Sequence, residues 1–363
     1  MTRYLLAGGG TAGHVNPLLA VADRLRERDP DAVIRVLGTA EGLEARLVPA
    51  RGHELVVVER LPFPRRPGVA ALRFPTRFRA LVAHIRALLV EHRIDVVVGF
   101  GGYVSAPAYL AARLERVAIV VHEANARPGI ANRLGAALTP HVGVAFAGTR
   151  LRRARTVGMP LRPEIERLDR RAAKADAMTE FGLDPQKPTL LVTGGSLGAR
   201  AINTTIATSV SVVLGAGWQV LHITGTRSEI DYPALAGYHV VPYCDRMDLA
   251  LSAADLILAR AGSSTVSEVS ALGIPAVYVP LAIGNGEQRL NAKSAVDGSA
   301  ALIVDDADFT PEWVTDRLTR LLADRAALAS MAAHASVVGT RDGTDRLIAL
   351  IDDAVSGEVA LPS

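Results

Sequence analysis

The chain reads as two α/β domains, each a doubly wound parallel sheet of Rossmann-like type, facing one another across a cleft. Three observations predict this. Two glycine loops of one form, Gly9-Gly10-Thr11-Ala12-Gly13 and Gly194-Gly195-Ser196-Leu197-Gly198, stand 185 positions apart, each after a short apolar run and before a helical pattern. Strand-like and helix-like patterns alternate from end to end, as parallel sheets covered on both faces require. A length of 363 residues, 49% of them hydrophobic, exceeds one ordinary core and suffices for two. Glycine lets the backbone turn sharply and approach a ligand, and the N–H groups of a following helix start favour an anion. A pair of such loops predicts a ligand held between two domains.

In the first domain, residues 1–160, strands are expected at Arg3–Ala7, Val33–Leu37, Leu55–Val58, Val96–Val98, Ala118–Val121 and Val142–Ala145, with the first helix starting near Asn16. A third glycine loop, Gly99-Phe100-Gly101-Gly102, follows the fourth strand. In the second domain, residues 161–340, strands are expected at Thr189–Thr193, Gln219–Ile223, His239–Pro242, Leu256–Ala259, Ala276–Val279 and Ala301–Val304, with a helix from about Ala199. The Arg-rich segment Thr149–Pro163, carrying Gly158, Pro160 and Pro163, reads as the interdomain connection. A last helical pattern near Asp345–Val355, within residues 341–357, is expected to pack back on the first domain.

A single cysteine, Cys244, excludes an internal disulfide and a cysteine-rich metal site, and a reducing compartment is the simplest assumption. With no cation adjoining it, Cys244 reads as a small filler, not a nucleophile. The nine histidines are scattered and Asp305-Asp306-Ala307-Asp308 lies far from the glycine loops, so no metal or other cofactor is expected. No apolar run approaches the roughly 18 residues of a spanning helix, and the first strand begins almost at Met1, so a soluble or peripheral protein without a leader is expected.

Net charge is only +3, but it is divided unevenly. Residues 1–160 hold 23 arginines against 12 carboxylates, a charge of +11, while residues 161–363 carry −8. An anionic partner for the first half follows, whether phosphate, nucleic acid or membrane surface. Basic and aromatic residues do not interleave as in a single-strand binder and aromatics are 4%, so nucleic acid is not expected.

The run Gly8-Gly9-Gly10-Thr11-Ala12-Gly13 fits the dinucleotide pattern GxGxxG. That pattern also wants an acidic residue about 20 positions on to hold a ribose, at the end of the second strand. Here the strand ends Leu37-Gly38-Thr39, with Glu41 the nearest candidate, so a nicotinamide dehydrogenase is disfavoured. A tight turn without a ligand accounts for one glycine loop well and for three badly.

The strings Gly9-Gly10-Thr11-Ala12-Gly13-His14, Gly101-Gly102-Tyr103-Val104-Ser105, His122-Glu123-Ala124-Asn125, Gly194-Gly195-Ser196-Leu197-Gly198-Ala199-Arg200 and Gly262-Ser263-Ser264-Thr265-Val266-Ser267-Glu268 resemble the MurG family. Its members are peptidoglycan N-acetylglucosaminyltransferases of GT-B fold. The match keeps its order from the first strand to beyond Asn291, and Gly284-Asn285-Gly286-Glu287-Gln288-Arg289 is similar to the actinobacterial branch. Departures are Ala12, where many members have glycine, Met159 in the usual Gly-Asn-Pro segment, and Leu197 where glutamine is common. The resemblance implies transfer of N-acetylglucosamine from UDP-N-acetylglucosamine to the 4-hydroxyl of the muramyl sugar in lipid I, giving lipid II. It also implies a peripheral station on the cytoplasmic face of the bacterial membrane, with cell-wall synthesis proteins as partners. A UDP-N-acetylglucosamine 2-epimerase is the alternative within the fold, and a non-catalytic lipid-carrier binder the alternative outside enzymes.

Inverting transfer needs a base for the acceptor hydroxyl and positive potential for the departing UDP. His14, closing the first loop, has the chemistry of a base near neutral pH, or it contacts only backbone or the lipid diphosphate. Glu123 and other carboxylates stay open as bases. Gly10, Gly13, His14, Gly101, Gly102 and Tyr103 form the candidate acceptor and diphosphate loops. On the donor side, Ser263, Ser264 and Thr265 offer hydroxyls at a helix start, and Glu268 can accept two hydrogen bonds from a ribose diol. Alternatively Thr265-Val266-Ser267-Glu268 closes a capping box. Gln288 and Asn291 read sugar hydroxyls or merely begin a solvated helix. By position in the matching strings, the resemblance adds Thr11, Ala12, Gly13, Asn125, Arg162 and Ser196 as donor contacts, with the main chain at Cys244 edging the uracil; Arg162 equally suits a hinge ion pair.

Between Arg60 and Val90 stand seven arginines and no carboxylate, interleaved with apolar residues. Phe63, Arg65, Arg66, Arg73, Phe74, Arg77 and Phe78 make a candidate patch for an anionic bilayer, where each basic residue contributes about 1 kcal/mol. The alternative is a helix with its Leu and Ile in the core and its arginines solvated. Arginine outnumbers lysine 37 to 3, which explains part of the excess but not the missing carboxylates.

Overall fold

The computed structural model describes residues 1–64, 66, 68–281 and 286–357. The chain divides into two compact units, one of Met1–Arg162 with the segment from Arg341 onward, the other of Pro163–Thr340.

In the first unit seven strands, β1 (Arg3–Gly8), β2 (Val33–Gly38), β3 (Glu54–Val57), β4 (Val96–Gly101), β5 (Ala118–Glu123), β6 (Val142–Val144) and β7 (Ala154–Thr156), lie in the order β3-β2-β1-β4-β5-β6-β7. Every pairing is parallel. Register aligns Leu6 with Val36 and Val98, and Leu5 with Val97, so successive residues feed opposite faces. On one face α1 (Ala12–Arg28) and the C-terminal helix Gly343–Ser356 bury Val15, Leu18, Leu25, Leu347, Leu350 and Ile351 over Leu6, Val36 and Val98. On the other, α2 (Glu44–Ala50) having passed, α3 (Val69–Glu91), α4 (Ser105–Glu115) and α5 (Ile130–Leu138) follow; Leu81, Ile85, Leu89 and Tyr109 cover Leu5, Leu37 and Val97. Burial on both faces is why the strands read as unbroken apolar runs. The C-terminal helix enters at Gly343, where a Cβ would stand 2.4 Å from the Met159 carbonyl oxygen; the Met159 side chain fills core.

The second unit holds β8 (Thr189–Thr193), β9 (Gln219–Ile223), β10 (Tyr238–Val241), β11 (Leu256–Ala259), β12 (Ala276–Tyr278) and β13 (Ala301–Ile303), all parallel, in the order β10-β9-β8-β11-β12-β13. Its core joins Leu190, Val192, Ile202, Ile206, Val220 and Leu258.

Two local expectations are corrected. The segment Thr149–Pro163 is not all connection, because Ala154–Thr156 pairs with β6 as a seventh strand. Three residues with an arginine at their centre carry no apolar run to announce it. The first helix begins at Ala12, not near Asn16, behind an extended Thr11 (φ −135°, ψ 155°). Glycine at position 13 dilutes the helical pattern there, so periodicity shows only further on.

Candidate active site

In open parallel sheets, ligands collect beyond the carboxyl ends of strands where the strand order reverses. Sheet order puts that point between β1 and β4 in the first unit and between β8 and β11 in the second. All the glycine loops follow these four strands or lie beside them.

In the first unit the β1 and β4 loops press together: a Cβ on Gly102 (φ +85°) would stand 2.6 Å from the Gly9 carbonyl oxygen. His14, half-buried in the first turn of α1, sets Nδ1 3.1 Å from that same oxygen and 3.2 Å from Thr11 Oγ1. A carbonyl only accepts, so Nδ1 carries the proton and Nε2 keeps its lone pair. Nε2 faces Gly101 (φ +101°), where a Cβ would come within 3.0 Å. Gly10 (φ +87°) has open space around its Cβ position, and Thr11 and Ala12 are exposed. Tyr103 is exposed on the β4 loop with the Arg60 guanidinium 5.7 Å over its ring.

Glu123 is not placed to act as a base. It is 2% exposed, one oxygen accepts from the Asn125 N–H at 2.9 Å, and the other from the Gly129 N–H and Asn132 Nδ2 at 3.0 Å each. Tyr109 then donates to Asn132 Oδ1 at 2.8 Å, carrying the support inward. Glu123 thus shapes the loop that presents Asn125. Ser105 Oγ accepts from the Gly101 N–H at 3.0 Å and lies 2.9 Å from the Ala7 carbonyl oxygen, tying the β4 loop to β1.

Sequence reasoning missed Glu44. It is 1% exposed and accepts from the Gly10 N–H at 2.9 Å, the Thr39 N–H at 3.0 Å and the Thr39 hydroxyl at 2.8 Å. Burial alone would raise its carboxyl, but the bonds from Gly10, its own amide and Thr39 outweigh burial and hold it below the ordinary value. A carboxylate that closed in by the loop itself cannot reach a ribose diol, a further count against a nicotinamide enzyme. No local pattern marks it: the contact exists because β1 and β2 are neighbours.

In the second unit the β8 loop is braced by Gly198 against Gly225, while the Ser196 carbonyl accepts from the Thr226 N–H at 3.1 Å. Ser196 and Leu197 are exposed, Leu197 at 56%. After β11 comes the helix Ser263–Ala271, whose N-cap Gly262 brings no side-chain cap bond. Its first-turn N–H groups have no partner within the helix. The Ser264 hydroxyl there is buried and has no hydrogen-bond partner among the described residues. The helix start, Ser263 and Ser264 thus offer hydrogen-bond donors of the kind an anion would need.

Thr265 is the third residue of that helix and not its cap, so the alternative of a capping box is not built. Glu268 is half-buried one turn on. Gln288, in the helix Glu287–Asn291, accepts from the Leu281 N–H at 3.0 Å. Asn291 is corrected: it is fully buried and donates to the Ala261 carbonyl at 3.2 Å, bracing the loop from beneath instead of reading a sugar from the surface. Burial pushes the Cys244 thiol up to about 11, which suits a filler. Arg162 is half-buried at the end of the first unit's main segment. Gly284 and Asn285 lie outside the described residues.

The basic segment divides by halves. Toward its C-terminus α3 buries Leu81, Val82, Ile85 and Leu89. Near its start Val69 and Leu72 are exposed, Leu72 at 81%, as are Phe63, Arg66 and Arg73 and, further along, Arg79. Phe74 and Phe78 are half-buried, stacked on one another and packed on the core, so Val69 and Leu72 take the exposed places expected for them. Arg77 pairs with Glu59 and Arg86 with Glu115, so carboxylates from outside the stretch neutralise part of it. Arg65 lies outside the described residues. No described helix is long and apolar enough to cross a membrane, and no described cluster of three His, Cys, Asp or Glu could hold a metal.

The model of the Glycosyltransferase family 28 N-terminal domain matches residues 4–143, and that of the C-terminal domain residues 189–347. The UDP-N-acetylglucosamine–N-acetylmuramyl-(pentapeptide) pyrophosphoryl-undecaprenol N-acetylglucosamine transferase of Leifsonia xyli subsp. xyli is 63% identical, over 98% of this chain and 99% of that one. The protein of the same name from Clavibacter sepedonicus is 57% identical, over 100% and 99%. Among solved structures, Acinetobacter baumannii MurG superposes with a TM-score of 0.78 at 28% identity, covering 97% of this chain and all of that one. The chain belongs to the MurG family of N-acetylglucosamine transferases, within glycosyltransferase family 28 and of GT-B fold.

Proposed function

We propose that the chain moves N-acetylglucosamine from UDP-N-acetylglucosamine to lipid I, with His14 as general base and UDP held by the Ser263–Ala271 helix start. Family membership supplies the reaction, and one observation carries the roles. An imidazole with Nδ1 tied to a carbonyl and Nε2 open stands at one switch point, opposite in kind to the unsatisfied Ser264 hydroxyl and uncapped helix at the other. The base removes the acceptor proton as the sugar carbon is attacked from the face opposite the leaving group. The helix N–H groups and serine hydroxyls take the growing charge on the diphosphate, a role that needs no metal. An epimerase needs no lipid acceptor, so turnover that depends on one separates the two activities.

Single-turnover assays with saturating donor and acceptor, run with chelator present, test the base. His14→Ala should slow transfer by roughly 100-fold or more while UDP affinity stays within a few-fold. A loss smaller than about tenfold would remove His14 from that role.

Peripheral attachment to an anionic membrane is part of the same reading. Exposed Phe63, Val69 and Leu72 share one stretch of chain with exposed Arg66, Arg73 and Arg79, a composition that suits a lipid headgroup region.

A further inference from the structure

We propose that Glu44 is a positioning residue for His14, acting through the single peptide group that joins Gly9 to Gly10. The proposal rests on His14 as the base. Glu44 Oε2 accepts the Gly10 N–H at 2.9 Å, and the Gly9 carbonyl oxygen lies 3.1 Å from His14 Nδ1. That N–H and that carbonyl are the two ends of one resonance-stabilised unit. A negative charge at the N–H end polarises the unit and makes its oxygen a stronger acceptor, as hydrogen-bond chains do in a low-dielectric interior. The stronger acceptor holds the ring proton on Nδ1 and keeps the lone pair on Nε2. When Nε2 takes a proton from the acceptor hydroxyl, the ring becomes a cation, and the carboxylate stabilises it through the same peptide. The proton remains on the ring, and no bond to Glu44 forms or breaks.

Both oxygens are in use, Oε2 on the Gly10 N–H and Oε1 on the Thr39 N–H and hydroxyl, so a glutamine of the same length keeps its single oxygen on one side, turns an amide N–H toward the other and removes the charge. The backbone clears space for this one side chain. A Cβ would meet it at 2.5 Å from Gly9, 2.5 Å from Gly38 and 2.1 Å from Gly42, and Gly102 leaves room around the Gly9 oxygen itself. Thr11 Oγ1 lies 3.2 Å from the same Nδ1 and, as a hydroxyl, can adapt to either tautomer, so the Gly9 carbonyl is the contact that selects one.

The full chain carrying Glu44→Gln tests this. kcat at saturating donor and acceptor should fall about tenfold, the order separating a charged from a neutral hydrogen-bond partner. Both KM values and UDP affinity should stay within twofold, because no substrate touches Glu44. Nitrogen NMR of the imidazole should show His14 protonated on Nδ1 in the wild type and shifted toward the Nε2-protonated tautomer in the variant. A kcat within twofold together with an unchanged tautomer overturns the proposal. So does a wild-type His14 protonated on Nε2, which decides the matter even if the variant fails to fold. Should His14→Ala keep full turnover, the base reading falls, while the tautomer still reports the relay on its own.

Discussion

Thr265 and Glu268 lie three residues apart inside the Ser263–Ala271 helix and so share one face of it. Gly262, not Thr265, is the cap, so the pair does not form a capping box, and the role proposed for Glu268 is to accept from the ribose diol of UDP. Glu268→Ala should therefore weaken UDP binding by about 1.5–3 kcal/mol, the range for a hydrogen bond to a charged group, and Glu268→Gln by less. Isothermal titration with UDP checks this. An unchanged affinity alongside a lowered melting temperature would leave the residue with a packing role alone. At the same scale Glu123 and Asn291 act as supports, since their polar atoms already satisfy the backbone that shapes each loop.

At the scale of elements, each sheet buries a neutral histidine behind its glycine loops. His122 on β5 donates from Nε2 to the Gly158 carbonyl at 3.0 Å, and burial lowers it to about 4. His222 on β9 accepts from the Tyr238 hydroxyl at 2.7 Å and contacts Asn203 Oδ1 at 3.2 Å through Nε2; burial lowers it to about 3. An unfolded histidine protonates near 6.5, so between that pH and the folded values the unfolded chain binds more protons, and stability falls as pH falls. The loss is on the order of 3 kcal/mol or more for each residue by pH 4. Glu44, lowered when folded, adds loss of the same sign at still lower pH. Urea melts from pH 7 to 4.5 should show declining stability, and His222→Gln, which keeps a donor and an acceptor, should flatten the decline. A wild-type stability constant over that interval would contradict the buried-neutral assignment. Most strands were legible because two covered faces demand continuous apolar runs, and the glycine loops because sharp turns demand glycine. β7 was not, having three residues and no apolar run. Glu44, Tyr109 and Asn132 were not, because sheet order and helix packing set their contacts and local spacing does not.

For the whole molecule, the uneven charge now has an address. Arg77 and Arg86 are paired, but Arg66, Arg73 and Arg79 are exposed and form no ion pair among the described residues, on the same stretch of chain as exposed Phe63, Val69 and Leu72. If this stretch docks on an anionic bilayer, replacing Arg66, Arg73 and Arg79 together with Gln should remove up to about 3 kcal/mol of attraction, at about 1 kcal/mol per charge. Preference for anionic over neutral vesicles should shrink accordingly in co-sedimentation. In the wild type it should also shrink with salt, since the Debye length drops to about 3 Å at 1 M. Leu72→Ser should weaken adsorption to both vesicle types alike, because apolar insertion does not depend on headgroup charge. Turnover of a water-soluble acceptor analogue should be unchanged in both variants, as none of these residues belongs to the glycine loops. Equal sedimentation of wild type and the triple variant on anionic vesicles would show that the start of α3 is not the docking surface. The excess charge of the first unit would then be left to the acceptor's diphosphate, and turnover of the soluble analogue would become the measurement sensitive to it.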